Sequence, residues 1–273
     1  MANSVKRVLF VNSEILPYLP ENRISSIGRY LPQGIQENRK EIRSFMPRFG
    51  CINERKNQLH EVIRLSGMNI IISDIDRQLI IKVASISAAR IQVYFIDNED
   101  YFHRKQTFYS EDGKFFADND ERAIFFARGV LETVKKLRWA PDIVHCQGWI
   151  SQLVPLYLKK TYRDDPIFAS SKVVVSLYDD TPKEKFNDKF AHKISFGGVS
   201  DEDMPLLVSD PTGINLAKTA IQYSDGVILG SDNLDKEILD FCNTLNTPVL
   251  GFDSASLEDG SYVSKYDEFY DNL

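Results

Sequence analysis

Residues Trp139 to Tyr162 read WAPDIVHCQGWISQLVPLYLKKTY, and in two dozen residues they hold a strand, a sharp polar loop and a helix. Pro141 and Asp142 close the preceding helix, because proline donates no amide and clashes with the turn before it. Ile143 and Val144 then read as a short buried strand. His145, Cys146, Gln147 and Gly148 follow as the loop. Trp149, Leu153, Leu156 and Tyr157 recur at spacings of three and four, the mark of an amphipathic helix returning over a sheet. In an open parallel α/β sheet, ligands bind in the crevice beyond the carboxyl ends of the strands. His145, Gln147 and Trp149 are therefore candidate site residues.

Working outward, Val8 to Val11 (VLFV) is a continuous apolar run of the kind that forms a central strand covered on both faces. The loop after it contains Ser13 and Glu14, and a helix with Ile24, Ile27, Leu31 and Ile35 on one face spans Ile24 to Glu37. Asn22 or Ser25 can cap that helix. Ile42 to Phe45 suits a second strand, completing a βαβ unit. Runs around Ile70–Ile72, Leu79–Val83 and Ile91–Ile96 read as hairpins followed by another strand. A polar, aromatic loop begins at Asp97, and a helix begins at Asp118 and Asn119. Lys172 to Leu177 is the next strand, with Asp179 and Asp180 after it. Residues 180–212 show no period and read as an excursion from the sheet. Helix, strand and helix resume over Ile214–Tyr223, Asp225–Leu229 and Asn233–Cys242. The expectation is one doubly wound, Rossmann-like α/β domain over residues 1–250. Residues 251–273 form an acidic, aromatic tail that is either a docking segment or a frayed end.

The 273 residues, 43% of them hydrophobic, are enough to bury a large core. Thirty-three basic and thirty-nine acidic side chains give a formal charge of −6, which argues against nucleic-acid or anionic-membrane partners. Three cysteines, Cys51, Cys146 and Cys242, form no CxxC pair, so neither a disulfide framework nor a zinc site is indicated. No cofactor is expected, and a reducing cytoplasm fits. The opening residues MANSVKRV lead into an apolar run too short for a signal-peptide core or a membrane span.

Several spaced blocks, in order, resemble the N-terminal half of bacterial glycogen and starch synthases, which are nucleotide-sugar glucosyltransferases of two facing doubly wound domains (GT-B). The family's S-E-x-x-P-[FY] is met by Ser13, Glu14, Pro17 and Tyr18, and its M-P-R-[YF]-G by Met46 to Gly50. F-I-D-N-x-x-Y-F-x-R is met by Phe95 to Asn98, Tyr101, Phe102 and Arg104. D-N-x-x-R is met by Asp118, Asn119 and Arg122. W-x-P-D-[IV]-[IV]-H-C and L-V-P-x-Y-L-K are met by Trp139, Pro141 to Cys146 and Leu153 to Lys159. N-x-x-K-x-x-[IL]-x-Y-[AS]-D is met by Asn215, Lys218, Ile221, Tyr223, Ser224 and Asp225. The resemblance implies a glucan or sugar nucleotide as ligand.

The departures fall on the loops that the resemblance makes functional. The family's K-T-G-G-L, whose lysine and glycine amides meet the nucleotide diphosphate, is here Pro20, Glu21, Asn22, Arg23 and Ile24. Arg23 is the one replacement cation, and Glu21 repels phosphate. H-D-W-H is Gln147, Gly148, Trp149 and Ile150; T-x-H-N is Ser176, Leu177, Tyr178 and Asp179. The family's second domain, with most of the nucleotide pocket, has no counterpart in this sequence. The expectation is no glucosyl transfer by this chain alone, with sugar or glucan binding retained through Ser13, Glu14, Arg23, Asp97, Asp118, Asn119, His145, Gln147 and Trp149. The alternative is a non-catalytic pseudoenzyme, a structural or regulatory subunit that forms a homodimer or meets a partner protein through the former interdomain face. Each candidate also has a plainer reading, which is preferred: His145 satisfying a buried hydrogen bond, Trp149 and the Phe125–Phe126 pair as core, and Asp97 and Asp118 as loop acceptors and caps.

Overall fold

The structure, a computed structural model, describes residues 6–273; the reading of the opening MANSV lies outside the described residues. Ten strands are laid down in chain order: β1 (Arg7–Asn12), β2 (Glu41–Pro47), β3 (His60–Glu61), β4 (Met68–Ile72), β5 (Ile75–Ile86), β6 (Ile91–Asp97), β7 (Ile143–Gln147), β8 (Lys172–Leu177), β9 (Gly226–Leu229) and β10 (Val249–Leu250). The helices among the described residues are α1 (Arg23–Glu37), α2 (Glu54–Asn57), α3 (Glu99–Phe102), α4 (Asn119–Leu137), α5 (Val154–Lys160), α6 (Phe190–Ile194), α7 (Pro205–Ser209), α8 (Gly213–Gln222), α9 (Lys236–Cys242), α10 (Ser254–Asp259) and α11 (Tyr262–Asp271).

The strands form one sheet in the order β10-β9-β8-β7-β1-β2-β6-β5-β3, with β4 paired to β5 off this path. From β10 to β6 every pairing is parallel, whereas β5 runs antiparallel to β6, β3 and β4. The sheet is thus mixed, and the hairpins expected over residues 59–96 form its antiparallel flank. Val8, Leu9, Phe10 and Val11 are fully buried, as a strand covered on both faces requires.

The pleat sorts side chains into two cores. Leu9, Val11, Val144, Val173 and Val175 face one core, packed with apolar residues of α4, α5 and α8. Val8, Phe10, Ile143, Val174 and Ile228 face the other, which α1 covers with Ile24, Ile27, Leu31 and Ile35, and α11 with Tyr262, Tyr266 and Tyr270. The stretch read as a docking segment or a frayed end is therefore two helices, one of them part of a core. Lys40 ties α11 down through Asp267 (2.5 Å) and Asp271 (2.8 Å). Its tyrosines fall at spacings of four, one helical face.

The central stretch differs from its reading in one respect. His145, Cys146 and Gln147 belong to strand β7, paired with Phe10, Val11 and Asn12 of β1, and the loop begins only at Gly148. Three polar or weakly polar residues read as a loop because strands buried on both faces are usually apolar throughout. Here both ring nitrogens of His145 and the Gln147 side-chain oxygen find partners inside. The following helix starts with a 3₁₀ turn (Trp149–Ser151) before α5, where Pro155 occupies the first turn. Residues 180–212 hold only the short helices α6 and α7 and a 3₁₀ turn (Asp201–Asp203).

Candidate functional site

The chain fills the sheet from β1 outward through β2 to β6, then returns to the other side of β1 with β7 and continues to β10. The switch point, where successive connections leave on opposite sides, therefore lies between the carboxyl ends of β1 and β7. Ser13 N–H donates to the Gln147 carbonyl (2.9 Å), joining the two strand ends. Gly148 has φ 82° and ψ 155°, a backbone open essentially to glycine alone, and a Cβ there would lie 2.0 Å from Ser13 Oγ and 3.1 Å from Asp180 Oδ2. Glycine thus allows Ser13, from the β1 loop, and Asp180, from the segment after β8, to close on one point.

The chemistry of this crevice is acidic. Asp180 Oδ2 accepts the Trp149 N–H (2.8 Å), while its buried Oδ1 and the Ser13 hydroxyl have no partner within the protein. Burial pushes the Asp180 carboxyl up to about 7; the Trp149 N–H opposes the shift and the charge of Glu14 adds to it. Glu14, half-buried, accepts from Asn22 Nδ2 at 2.5 Å, and burial raises its carboxyl above the usual range against that hydrogen bond. Near pH 7 the Asp180 carboxyl can therefore both accept and donate.

The start of α1 is closed on itself. Asn22 accepts the Ser25 N–H and Ser25 Oγ accepts the Asn22 N–H, a capping box to which both expected caps contribute. Arg23 is engaged by other groups: Nη1 lies 3.5 Å from the Gly230 carbonyl and from Asp232 Oδ1, and the guanidinium sits 5.1 Å from the centre of the Phe252 ring.

Other candidates have work elsewhere. His145 is fully buried, with Nδ1 2.7 Å from the Tyr270 hydroxyl and Nε2 2.7 Å from Ser176 Oγ, and burial lowers its pKa to about 3. Gln147 Oε1 accepts from the Tyr178 hydroxyl (3.3 Å), and its Nε2, like both amide atoms of the neighbouring Asn12, has no partner within the protein. The Trp149 ring packs among Phe108 (4.8 Å), Phe115 (5.9 Å) and Phe186 (5.7 Å), so this residue gives the crevice its amide and gives the core its ring. Asp97, at the end of β6, lies 2.9 Å from Lys82 Nζ and 3.3 Å from His103 Nε2. Asp118 stands at the start of α4 without capping it, because both carboxylate oxygens take Arg104. Asn119 donates to the Phe108 carbonyl (2.8 Å) and accepts from Arg122, whose guanidinium lies within 6 Å of four phenylalanine rings.

The fold thus brings Ser13, Glu14, Gln147 and the Trp149 amide to the switch point and sets Arg23, Asp97, Asp118, Asn119 and His145 in other surroundings. Gly148 and Asp180 are the members that sequence reasoning passed over. Their signal was positional: a glycine at the end of a strand, and an acid three residues past the end of KVVVSL. Among the described residues no group of three or more His, Cys, Asp or Glu is placed to hold a metal ion.

Comparison with known proteins agrees with this architecture. The family described as starch synthase catalytic domain matches residues 7–246. Glycogen synthase of Chlorobium limicola is 37% identical over 226 residues, 82% of this chain and 45% of that protein. That of Chlorobaculum tepidum is 35% identical over 244 residues, 88% of this chain and 49% of the other. The catalytic domain of starch synthase IV from Arabidopsis thaliana, bound to ADP and acarbose, shares the fold with a TM-score of 0.69 at 15% identity, over 92% of this chain and 51% of that one. The chain spans about half the length of these relatives. A match that begins in β1 and ends beyond α9, with identities of a third or more, takes in nearly every strand of the sheet: the chain belongs to the starch synthase catalytic domain family.

Proposed function

We propose that this domain binds the hydroxyls of an α-glucan in the switch-point crevice and does not by itself transfer glucose from a nucleotide sugar. The observation that carries this reading is the charge of the crevice. Its side chains are two carboxyls, a hydroxyl and carboxamides, and the cation at the start of α1, Arg23, is turned to Asp232 and Phe252. Departure of a nucleoside diphosphate requires positioned cations or free amides, and Glu14 and Asp180 oppose it electrostatically. A neutral sugar meets no such penalty. Its hydroxyls donate to carboxylate oxygens, and the half-protonated Asp180 returns a donor to a ring or glycosidic oxygen.

The names of the relatives support a glucan as the ligand class, and the bound ADP and acarbose of the Arabidopsis enzyme mark both alternatives to be tested. Calorimetric titration with maltoheptaose, ADP-glucose, UDP-glucose and ADP separates them. Saturable binding of maltoheptaose, weakened about tenfold by Asp180→Ala, is expected, that being the size of one hydrogen bond to a charged group. Saturable binding of ADP or ADP-glucose that Arg23→Ala weakens overturns the reading. A folded sample that binds none of the four points instead to a protein-interaction role.

A further inference from the structure

At the opposite end of the sheet from the crevice, we propose a docking surface for an acidic segment of another protein, formed by a row of exposed cations along the amino ends of β7, β1, β2 and β6. Those four strands are neighbours in that order. Arg138 ends α4 in the connection to β7, Lys6 immediately precedes β1, Arg39 stands two residues before β2 and Arg90 one before β6, and all four are exposed. Hydrogen bonds across the strand starts hold them together. Gln36 Nε2 donates to the Ala89 carbonyl (3.2 Å) beside Arg90, and the Arg39 N–H donates to the Gln36 carbonyl (2.9 Å). The Glu41 N–H donates to the Lys6 carbonyl (2.8 Å), and Trp139 Nε1 donates to Glu41 Oε2 (3.1 Å), which brings Arg138 alongside.

None of the four pairs with an acid among the described residues, because the acids nearby are engaged. Glu41 takes Arg7 (3.3 Å) as well as Trp139, Asp142 accepts the Lys6 and Arg7 amides, and Lys40 takes Asp267 and Asp271. The backbone also singles out three of them. Arg39, Arg90 and Arg138 have φ of 67°, 56° and 51°, the left-handed region where glycine or asparagine is the unstrained choice. A cation at a helix C-terminus complements the dipole, but α4 already carries Lys135 and Lys136 in its last turn. Arg90 ends only a 3₁₀ turn, Ser87–Ala89, too short to build up such a dipole.

The row selects an extended anion. Neighbouring strands lie about 4.8 Å apart, so four strand starts cover about 14 Å, the length of about four residues of extended peptide. A single phosphate or carboxylate cannot meet cations spread over that length. A nucleic-acid strand is disfavoured twice. The formal charge of −6 repels the many phosphates that run on past the row. The aromatic rings behind it, Tyr94 and Trp139, are buried with Arg43 against them, which leaves no face for a base to stack on. A short run of Asp and Glu places its charges on the row and few beyond it.

The test is fluorescence anisotropy of labelled octaglutamate with the full chain, at low and at high ionic strength. Asparagine is tolerated at positive φ, so the triple variant Arg39→Asn, Arg90→Asn, Arg138→Asn removes the charge and keeps the backbone. A control triple, Lys183→Asn, Lys189→Asn, Lys236→Asn, removes the same charge from exposed lysines outside the row. Saturable binding that salt weakens is expected, with a loss of about tenfold in the arginine triple, the size of three exposed ion pairs. The thermal midpoint of that variant is expected to be no lower than wild type, and the lysine triple to bind like wild type. Equal losses in the two triples report overall charge alone and overturn the row, as does the absence of saturable binding. A lowered midpoint in the arginine triple with peptide binding unchanged makes the arginines helix caps and also overturns it. Oligouridylate and phosphatidylserine vesicles are the competing probes, and tighter binding of either that the arginine triple abolishes overturns the assignment to a protein partner.

Discussion

His145 makes the stability of the fold sensitive to acid, with a size that the structure sets. The imidazole is fully buried, with Nδ1 hydrogen-bonded to the Tyr270 hydroxyl and Nε2 to Ser176 Oγ. A second ring proton would place a charge between Phe10, Tyr266 and Tyr270, away from water. Burial holds the folded pKa at about 3, against about 6.5 for histidine in an unfolded chain. The folded pKa is depressed, so the unfolded state takes up the proton first, and this group's contribution is complete above about pH 6.5 and is lost as pH falls toward 3. At about 1.36 kcal/mol per unit, the 1.5 units from 6.5 to 5.0 correspond to about 2 kcal/mol. Carboxyl groups titrate in the same range, and Asp180, with its raised pKa, acts in the opposite direction. The difference between wild type and His145→Gln isolates the histidine. Urea denaturation at pH 7.5 and 5.0 is expected to show wild type losing about 2 kcal/mol more than the variant. A difference that stays constant between the two pH values refutes the buried neutral imidazole.

Asp180→Asn keeps an acceptor for the Trp149 N–H and removes a carboxylate that burial disfavours; discounted for its partial exposure, it is expected to stabilise the fold by about 1–2 kcal/mol at pH 8. The folded pKa is raised, so this gain shrinks as pH falls from about 7 toward 4, which denaturation at both ends checks. Gly148→Ala forces a Cβ onto Ser13 Oγ at a positive φ and is expected to cost about 2–4 kcal/mol, read as a lowered thermal midpoint. Truncation after Leu250 removes three buried tyrosines that cover β1, β7 and β8. At about 1.5–3 kcal/mol per side chain the loss approaches the whole stability of a domain, so the truncated chain is expected to aggregate or bind a hydrophobic dye; a soluble, cooperatively folding product would refute the role of α11.

The central strands were legible because β1, β2, β6, β8 and β9 are built on apolar runs, and β8 matches its expected bounds at both ends, whereas the two-residue edge strands β3, exposed and polar, and β10 left no such run. Helix α1 was legible from the spacing of Ile24, Ile27, Leu31 and Ile35. His145 and Gln147 misled because a polar residue in a buried strand depends on partners far away in sequence: Tyr270 is 125 residues from His145. The tail misled for the same reason. Its acids look like a solvated face until Lys40 is placed beside Asp267, and its tyrosines look exposed until the second face of the sheet is seen to need a cover. Asp180 was hidden because its position depends on Gly148 admitting it beside Ser13.

The motifs that this chain shares with its family divide by what they do. Asp142 accepts the backbone amides of Lys6 (2.8 Å) and Arg7 (2.9 Å), aligning β1 with β7. Asp225 accepts the Val173 N–H (2.7 Å), fixing the start of β8, and pairs with Lys159 (2.6 Å). Asn215 holds the carbonyls of Leu206 and Asp210, Trp139 donates to Glu41, and Arg104 with Asp118 closes the loop before α4. Asn98 caps α3 through the amides of Asp100 and Tyr101. Those of Asp142, Asn215, Asn98 and Asp225 satisfy backbone polar groups at sheet edges, caps and loops, and losing a buried one leaves a polar atom unpaired at about 1–3 kcal/mol. The departures that the resemblance implies fall on Pro20 to Ile24 and Gln147 to Ile150, at the carboxyl ends of strands, where loops carry function. A sequence match dominated by the first group therefore measures how the domain is built. At the crevice itself the groups mix: Glu14 stands in a motif that resembles the family's, Gly148 in a stretch that departs from it and Asp180 in neither, while Arg23 pairs with Asp232.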